Sequence, residues 1–322
     1  MRTIALPYSG ELLLAQLVAY GLLVALDAAG VVAYVHHPEE SLSFTPTIDV
    51  GKDINNKIIA AAVRATAASA KDVVEADLVN GKTDNEQRSV IWARGSMAND
   101  TSQAGEVVRR RGELVEDAAR CTDRALLGVL AGLGAPASWG PDYLKPSHGA
   151  TALDGVLGNH TSDIVRGVLR PARIAADDIE GADLWTTHPA GAKAQLDKTG
   201  WAPAGTIAPL AHQWIAVLGL GVLPVAHRPA GRSATPACWP KGRGVTLPLF
   251  SLPSTLSRAR AVIGLRSLAS IAAEPDDKDA IAAAAELRAM GVREVVAFER
   301  LHARGQGSSV AFSFRRGRRI AW

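Results

Sequence analysis

Seven arginines lie between Arg293 and Trp322, at positions 293, 300, 304, 315, 316, 318 and 319, against two glutamates, Glu294 and Glu299. That surplus of five positive charges exceeds the net +3 of the whole 322-residue chain, so the remainder is slightly acidic. Guanidinium groups neutralise phosphates, and aromatic side chains beside them give bases a surface to rest on. The segment fits either a polyanion-binding surface or a solvated basic tail. Arg304, Arg315, Arg316, Arg318 and Arg319 are its candidate phosphate contacts.

Three other places could meet a nucleic-acid backbone. Arg109, Arg110 and Arg111 are consecutive, and on a helix they spread over about 200° of surface, so at least one points away from a packed face. The competing reading pairs them with Glu106 and Glu113 on a solvated face. Residues 94–101 (RGSMANDT) follow a predicted strand, with Arg94 beside small residues and Asn99 supplying the donor and acceptor that a base edge recognises. Residues 145–173 bring Lys145, His148, Asn159, His160, Arg166, Arg170 and Arg173 into a turn-rich stretch feeding a helix, with Arg166 and Arg170 four apart on one helical face. Of the two loops able to approach bases, 94–99 is preferred over Asn159–His160 because Gly95, Ser96 and Ala98 let the backbone come close.

Catalytic signatures are missing. The chain holds no GxxxxGK[ST], no strand–GxGxxG–helix, no HExxH and no GxSxG. Its eight histidines include no pair at ligand spacing on one helix, and the adjacent His36 and His37 at a strand end point to opposite faces. Asp177–Asp178 and Asp276–Asp277 read as turn or cap residues. No cofactor site is predicted. Cys121 and Cys238 are far apart, which fits a reducing cytoplasm and argues against a disulfide scaffold or a zinc knuckle.

The elements that must carry these residues follow from pattern. A hydrophobic fraction of 48% allows a full core, and with aromatics at only 5% that core must be largely Ala, Leu and Val. The N-terminus lacks a signal-peptide pattern, and the apolar run 12–26 is shorter than the roughly 20 residues a membrane span needs, so it is expected as a buried core helix. That helix should cover 11–29, capped by Ser9 and stopped by Gly30. A strand at 31–36 follows, with 42–44 as its partner, then a helix at 53–68 and strands at 75–79 and 89–94. The longest helical stretch, 102–133, should break near Gly128 or Gly132. Residues 134–160 are turn-rich, and a helix at 161–169 should stop before Pro171. Helices at 207–220, 254–273 and 277–290, a strand at 245–250 and the closing hairpin complete the chain. The expected fold class is α+β: a mixed N-terminal domain over 1–204 and a helix-rich part over 205–322 ending in the basic β-hairpin.

Four stretches in order resemble the large subunit of the type I CRISPR-associated Cascade complex, in a short and divergent form. They are residues 12–31 (LLLAQLVAYGLLVALDAAGV), 130–140 (LAGLGAPASWG) with 158–172 (GNHTSDIVRGVLRPA), 211–228 (AHQWIAVLGLGVLPVAHR) and 287–312 (LRAMGVREVVAFERLHARGQGSSVAF). Together they cover about a third of the chain, and none is a catalytic fingerprint. Where that group carries a more basic and aromatic motif, this chain reads GNHTSDIV.

The resemblance implies a non-catalytic subunit of an RNA-guided DNA interference complex. Such a subunit lies beside the crRNA 5′ handle, reads the protospacer-adjacent motif on target double-stranded DNA and helps open the duplex. Its partners would be the backbone and handle-binding Cascade subunits and a helicase-nuclease recruited in trans, with no membrane. This agrees with the logic of RNA-guided targeting, in which protein reads a few base pairs and backbone while the guide reads sequence. A stand-alone cytoplasmic α+β enzyme with an unrecognised site, and a purely structural assembly subunit, are the alternatives.

Overall fold

The computed structural model describes residues 1–39, 44–76, 101–132, 165–181, 184–185, 194–196, 200–203, 206–223, 226–227, 233–234, 237–239, 244–265, 267–273, 278–304 and 310–322. Within them the fold is α+β, with small antiparallel sheets and helices packed on one core.

The apolar run near the N-terminus becomes helix α1 (Leu13–Ala28), and every residue from Leu13 to Leu26 is buried. A helix apolar on all sides belongs inside a protein. Its start differs from the expectation of a Ser9 cap: the N-cap is Leu12, with no side-chain hydrogen bond. Instead the Leu14 amide, unpaired within the helix, donates to the Trp201 carbonyl at 3.0 Å, so tertiary structure does the capping. Gly30 does end it, at φ +71°.

Around α1 stand two sheets. In the first, β1 (Arg2–Ala5), β2 (Ala33–His36) and β3 (Thr47–Val50) run antiparallel with β3 in the centre. The partner of β2 is thus β3, not residues 42–44; Phe44 has φ 39° and lies outside any strand, and 42–43 lie outside the described residues. Alternation puts Ile4, Val35, Ile48 and Val50 on the inner face, all buried. Helices α2 (Asn56–Ser69) and α3 (Lys71–Ala76) follow. The side chain of Asn55 caps α2, accepting from the Lys57 and Ile58 amides at 3.0 and 3.1 Å. Glu75 and Ala76 are therefore helical, not the start of a strand; residues 77–79 and the expected strand at 89–94 lie outside the described residues.

The long helical stretch is two helices, α4 (Thr101–Arg120) and α5 (Arg124–Gly132). The break falls at 121–123, not at a glycine: Thr122 takes φ 57° and Asp123 caps α5 by accepting from the Leu126 amide at 2.9 Å. A π-helical turn at Val165–Leu169 leads into α6 (Arg170–Asp177). Pro171 opens α6 instead of ending the preceding helix, because the first helical turn needs no proline N–H.

Short strands β4 (Ala194–Leu196) and β5 (Ile207–Pro209) pair before α7 (Leu210–Gly219), which is also buried throughout. After α7 come the two-residue strands β6 (Ala226–His227) and β7 (Ser233–Ala234), then β8 (Gly244–Phe250). The expected helix at 254–273 is α8 (Leu256–Ile263) and α9 (Ser267–Ala273), followed by α10 (Lys278–Ala289).

Helices α1 and α7 cross at glycines on both sides. A Cβ on Gly21 would stand 1.7 Å from the Ile215 carbonyl oxygen, and one on Gly219 would stand 2.0 Å from that of Leu17. The backbones touch there, and the glycine Cα hydrogens face those carbonyls. This crossing joins chain on either side of residue 204, and a single core of buried residues draws on both parts.

The second sheet closes the chain. Its central strand is β9 (Val292–Arg304); β8 lies along its first half, and β10 (Val310–Phe314) and β11 (Arg318–Ala321) pair with it in succession. The α1 run is the longest apolar stretch, yet no helix among the described residues is long and apolar enough to cross a membrane.

Candidate nucleic-acid interface

The closing hairpin is continuous but irregular. Phe314 lies opposite Arg300 and Arg318 opposite Ala297, so Arg315, Arg316 and Gly317 span what Phe298 and Glu299 span on β9. One extra residue makes this a β-bulge, a device that bends a strand and re-aims its side chains. Gly317 is required there, because a Cβ would meet Val296 and Phe298 side chains at 2.4 and 2.6 Å. The bulge is docked to distant chain: the Gly317 amide donates to the Glu11 carbonyl at 2.7 Å and that of Phe314 to Gly200 at 2.9 Å.

Arg315, Arg316, Arg318 and Arg319 are all exposed here, yet three of them face carboxylates of the protein itself. Arg315 Nη1 meets Glu299 Oε2 at 2.9 Å, and Arg316 Nη1 meets Glu11 Oε2 at 2.9 Å. Both arginines stay more than half exposed. Arg319 Nε donates to Glu294, a residue only 8% exposed. The Arg318 side chain makes no ion pair or hydrogen bond among the described residues. At the start of β9, Arg293 pairs with Glu39, and hydrogen bonding to that carboxylate raises the Arg293 pKa above its ordinary value. These last two pairs close a small pocket lined also by His37, Phe44 and Ser251. Among its described side chains the basic hairpin is therefore a row of guanidinium groups largely matched by acids, with Arg318 as the open position.

Of the other sequence candidates, the described side chains of Arg109, Arg170 and Arg173 do not join this row. Arg109 sits on α4 in an i,i+4 ion pair with Glu113, as the solvated-face reading expects; Arg110 and Arg111 follow it on the same helix. Arg166 lies in the π-helical turn and Arg304 ends β9. Arg170 is turned inward: its Nε donates to the Val74 carbonyl at 3.2 Å, tying α6 to α3. Arg173 is 4% exposed beside Asp177. Arg94, Asn99, Lys145, Asn159 and His160 lie outside the described residues.

Sequence reasoning missed two polar cores and one polar sheet face. His37 is fully enclosed: its Nδ1 accepts from the Phe250 amide at 3.1 Å and its Nε2 bonds Gln16 Oε1 at 3.0 Å. The ring thereby links β2, α1 and β8. Burial, with a smaller contribution from His36, lowers its pKa to about 3, so the ring is neutral. His212 on α7 is held likewise, between the Tyr8 hydroxyl and the Leu184 carbonyl, and burial lowers its pKa to about 4. No spacing in the sequence marks either contact, since the partners are remote.

His36 points to the other face, as expected of neighbours on a strand, and its Nδ1 meets Asp49 at 2.9 Å. Asp49 also accepts from Thr3 at 2.6 Å, and the Thr47 hydroxyl lies 3.0 and 3.1 Å from the two ring nitrogens. A hydroxyl equidistant from both nitrogens sits over the ring, not along the lone pair a general base would use, and Thr47 is buried. The trio is a structural lock on β3. Among the described residues no group of three His, Cys, Asp or Glu side chains is placed to hold a metal.

Comparison of the chain with protein families, with curated proteins and with solved structures returned no match.

Proposed function

We propose that this chain is a non-catalytic subunit of an RNA-guided DNA interference complex, one that contacts the crRNA handle and the target duplex and takes part in recognising the protospacer-adjacent motif. The observation that carries the proposal joins the resemblance to the geometry. Of the four stretches that resemble the Cascade large subunit, 12–31 contains α1, 211–228 contains most of α7, and 287–312 joins the end of α10 to β9. The first two are the helices that cross in the core, and the third supplies β9, the strand against which the bulge and β11 carry the arginine row. The remaining stretch, 130–140 with 158–172, falls partly outside the described residues; a likeness in the crossing scaffold and in the strand beside the charged edge is what a binding subunit would keep. In this reading phosphate contact belongs to the bulge and β11, and motif reading to Arg94 and Asn99, with Asn159 and His160 as the second choice.

The test is a titration with short duplex DNA and with single-stranded RNA across a salt series. The variant replaces Arg315, Arg316 and Arg318 with Ala and keeps Arg319, whose partner Glu294 is buried. Affinity is expected to fall alike for all sequences, and the log–log salt slope to shrink by about 0.9 for each phosphate no longer neutralised. Equal affinity and slope for wild type and variant, or no binding by either, refutes the proposal and favours a structural subunit.

A further inference from the structure

We infer that Glu11 and Glu299 occupy the positions that backbone phosphates take when a polyanion binds, so that the bulge is a self-masked nucleic-acid site opened by exchange of carboxylate for phosphate. The inference rests on the polyanion reading above and adds to it the residues that set affinity. Three features of the pairs carry it.

First, the pairs are not needed to hold the bulge in place. That is done by the backbone bonds from Gly317 to Glu11 and from Phe314 to Gly200, and by the packing of Gly317 against Val296 and Phe298. An exposed pair such as Arg315–Glu299, both members more than half exposed, contributes little to folding.

Second, each pair is joined singly and through the same terminal nitrogen, Nη1. The edge formed by Nε and Nη2 is left for a second acceptor, so a phosphate can settle on that edge before the carboxylate departs. Arg319 differs, since it reaches its carboxylate through Nε and that carboxylate is buried. It is a structural pair and stays out of the exchange.

Third, Arg318 stands one residue beyond Gly317 with no carboxylate of its own among the described residues. It offers the first landing point, from which neighbouring phosphates reach Arg316 and Arg315. An isolated anion meets one guanidinium there, whereas a chain of phosphates meets three. The masking carboxylates thus favour a nucleic-acid backbone over small anions and weaken adventitious binding.

The experiment measures binding of the full chain to short mixed-sequence duplex DNA and to single-stranded RNA, for wild type, Glu11→Gln, Glu299→Gln and the double variant. Glu180→Gln, an exposed residue after α6, is the control for net charge. Each masking variant is expected to bind about two- to fivefold tighter, the factor set by releasing one exposed ion pair. The salt slope should steepen while the melting temperature stays put. Equal tightening by Glu180→Gln would reduce the effect to net charge and overturn the inference. Unchanged binding in the double variant, in a protein whose Arg315, Arg316 and Arg318 substitutions do weaken binding, overturns the masking and leaves the polyanion reading intact. A lowered melting temperature in either single variant makes the glutamates clamps and also overturns it.

Discussion

Replacing Gly21 with Ala tests the helix crossing on which the whole core is hung. In an exposed helix this change stabilises, by roughly 1 kcal/mol of helix propensity. Here the new methyl would stand 1.7 Å from the Ile215 carbonyl oxygen and 2.7 Å from its carbon, where contacts under 3.0 Å are essentially never seen. The carbonyl belongs to a buried helix and cannot swing aside alone, so α7 must retreat as a body. That retreat parts Leu17 from Gly219 as well, because the crossing is reciprocal. Overpacking costs of about 1–3 kcal/mol apply to side chains that can adjust; a backbone collision adds poorer packing along both helices. The propensity gain offsets only part of this, and a net loss of about 3 kcal/mol is expected. For a chain of 322 residues, at about 2.1 cal/mol/K of unfolding entropy per residue, that lowers the melting temperature by about 4–5 °C. Gly112 on α4 gives the opposite sign: nothing lies within 4 Å of its Cβ position, so Gly112→Ala should stabilise by about 0.5–1 kcal/mol. Thermal unfolding followed by circular dichroism, backed by urea midpoints, separates the two. A Gly21→Ala protein as stable as wild type would refute the close crossing, and with it the joining of the two chain halves.

Acid should weaken the fold before its carboxylates titrate. The pKa values of His37 and His212 are lowered to about 3 and about 4 in the folded chain against about 6.5 when unfolded, so below pH 6.5 the unfolded chain takes up protons the folded one refuses. Stability is complete above pH 6.5 and should fall by about 2 kcal/mol per histidine at pH 5; urea midpoints that stay level from pH 7 to pH 5 would contradict this. Arg319→Ala strips the partner from a buried Glu294 and should cost roughly 1–3 kcal/mol, whereas Arg318→Ala should stay within about 0.5 kcal/mol; equal melting temperatures would remove the distinction between clamp and contact.

What the sequence discloses is set by local signals strong enough to survive the fold. The α1 run is apolar on all sides, so its burial can be read directly, and Gly30 marks its end. Strands β1 and β3 are not legible: four residues each, RTIA and TIDV show too few periods to separate strand from loop. Glycines near 128 and 132 suggest the break before α5, yet a helix tolerates glycine, and the true break lies where Asp123 offers a cap. Pro171 reads as a stop, when its place in the first turn of α6 makes it a start. The arginine row is plain in the sequence, but its acids are not, since Glu11 lies 305 positions from Arg316. Charge composition counts arginines; only the fold tells which of them are already answered.

That distinction bears on how the hairpin would work. Its central strand β9 is paired on one side by β8 and on the other by β10 and β11, and β8 is tied through His37 to β2 and α1. The bulge itself is bonded to residues 11 and 200, at the entry to α1. Guanidinium groups mounted on such a frame lose side-chain freedom on binding but little backbone freedom, so little of the binding energy is consumed in ordering the chain. Affinity should then follow the local balance of charge, arginines against the acids beside them, more than any folding step. A rigid edge of this kind also fixes the spacing of its cations. In the proposed role it would discriminate by the geometry of a phosphate backbone and leave base identity to loops elsewhere in the chain.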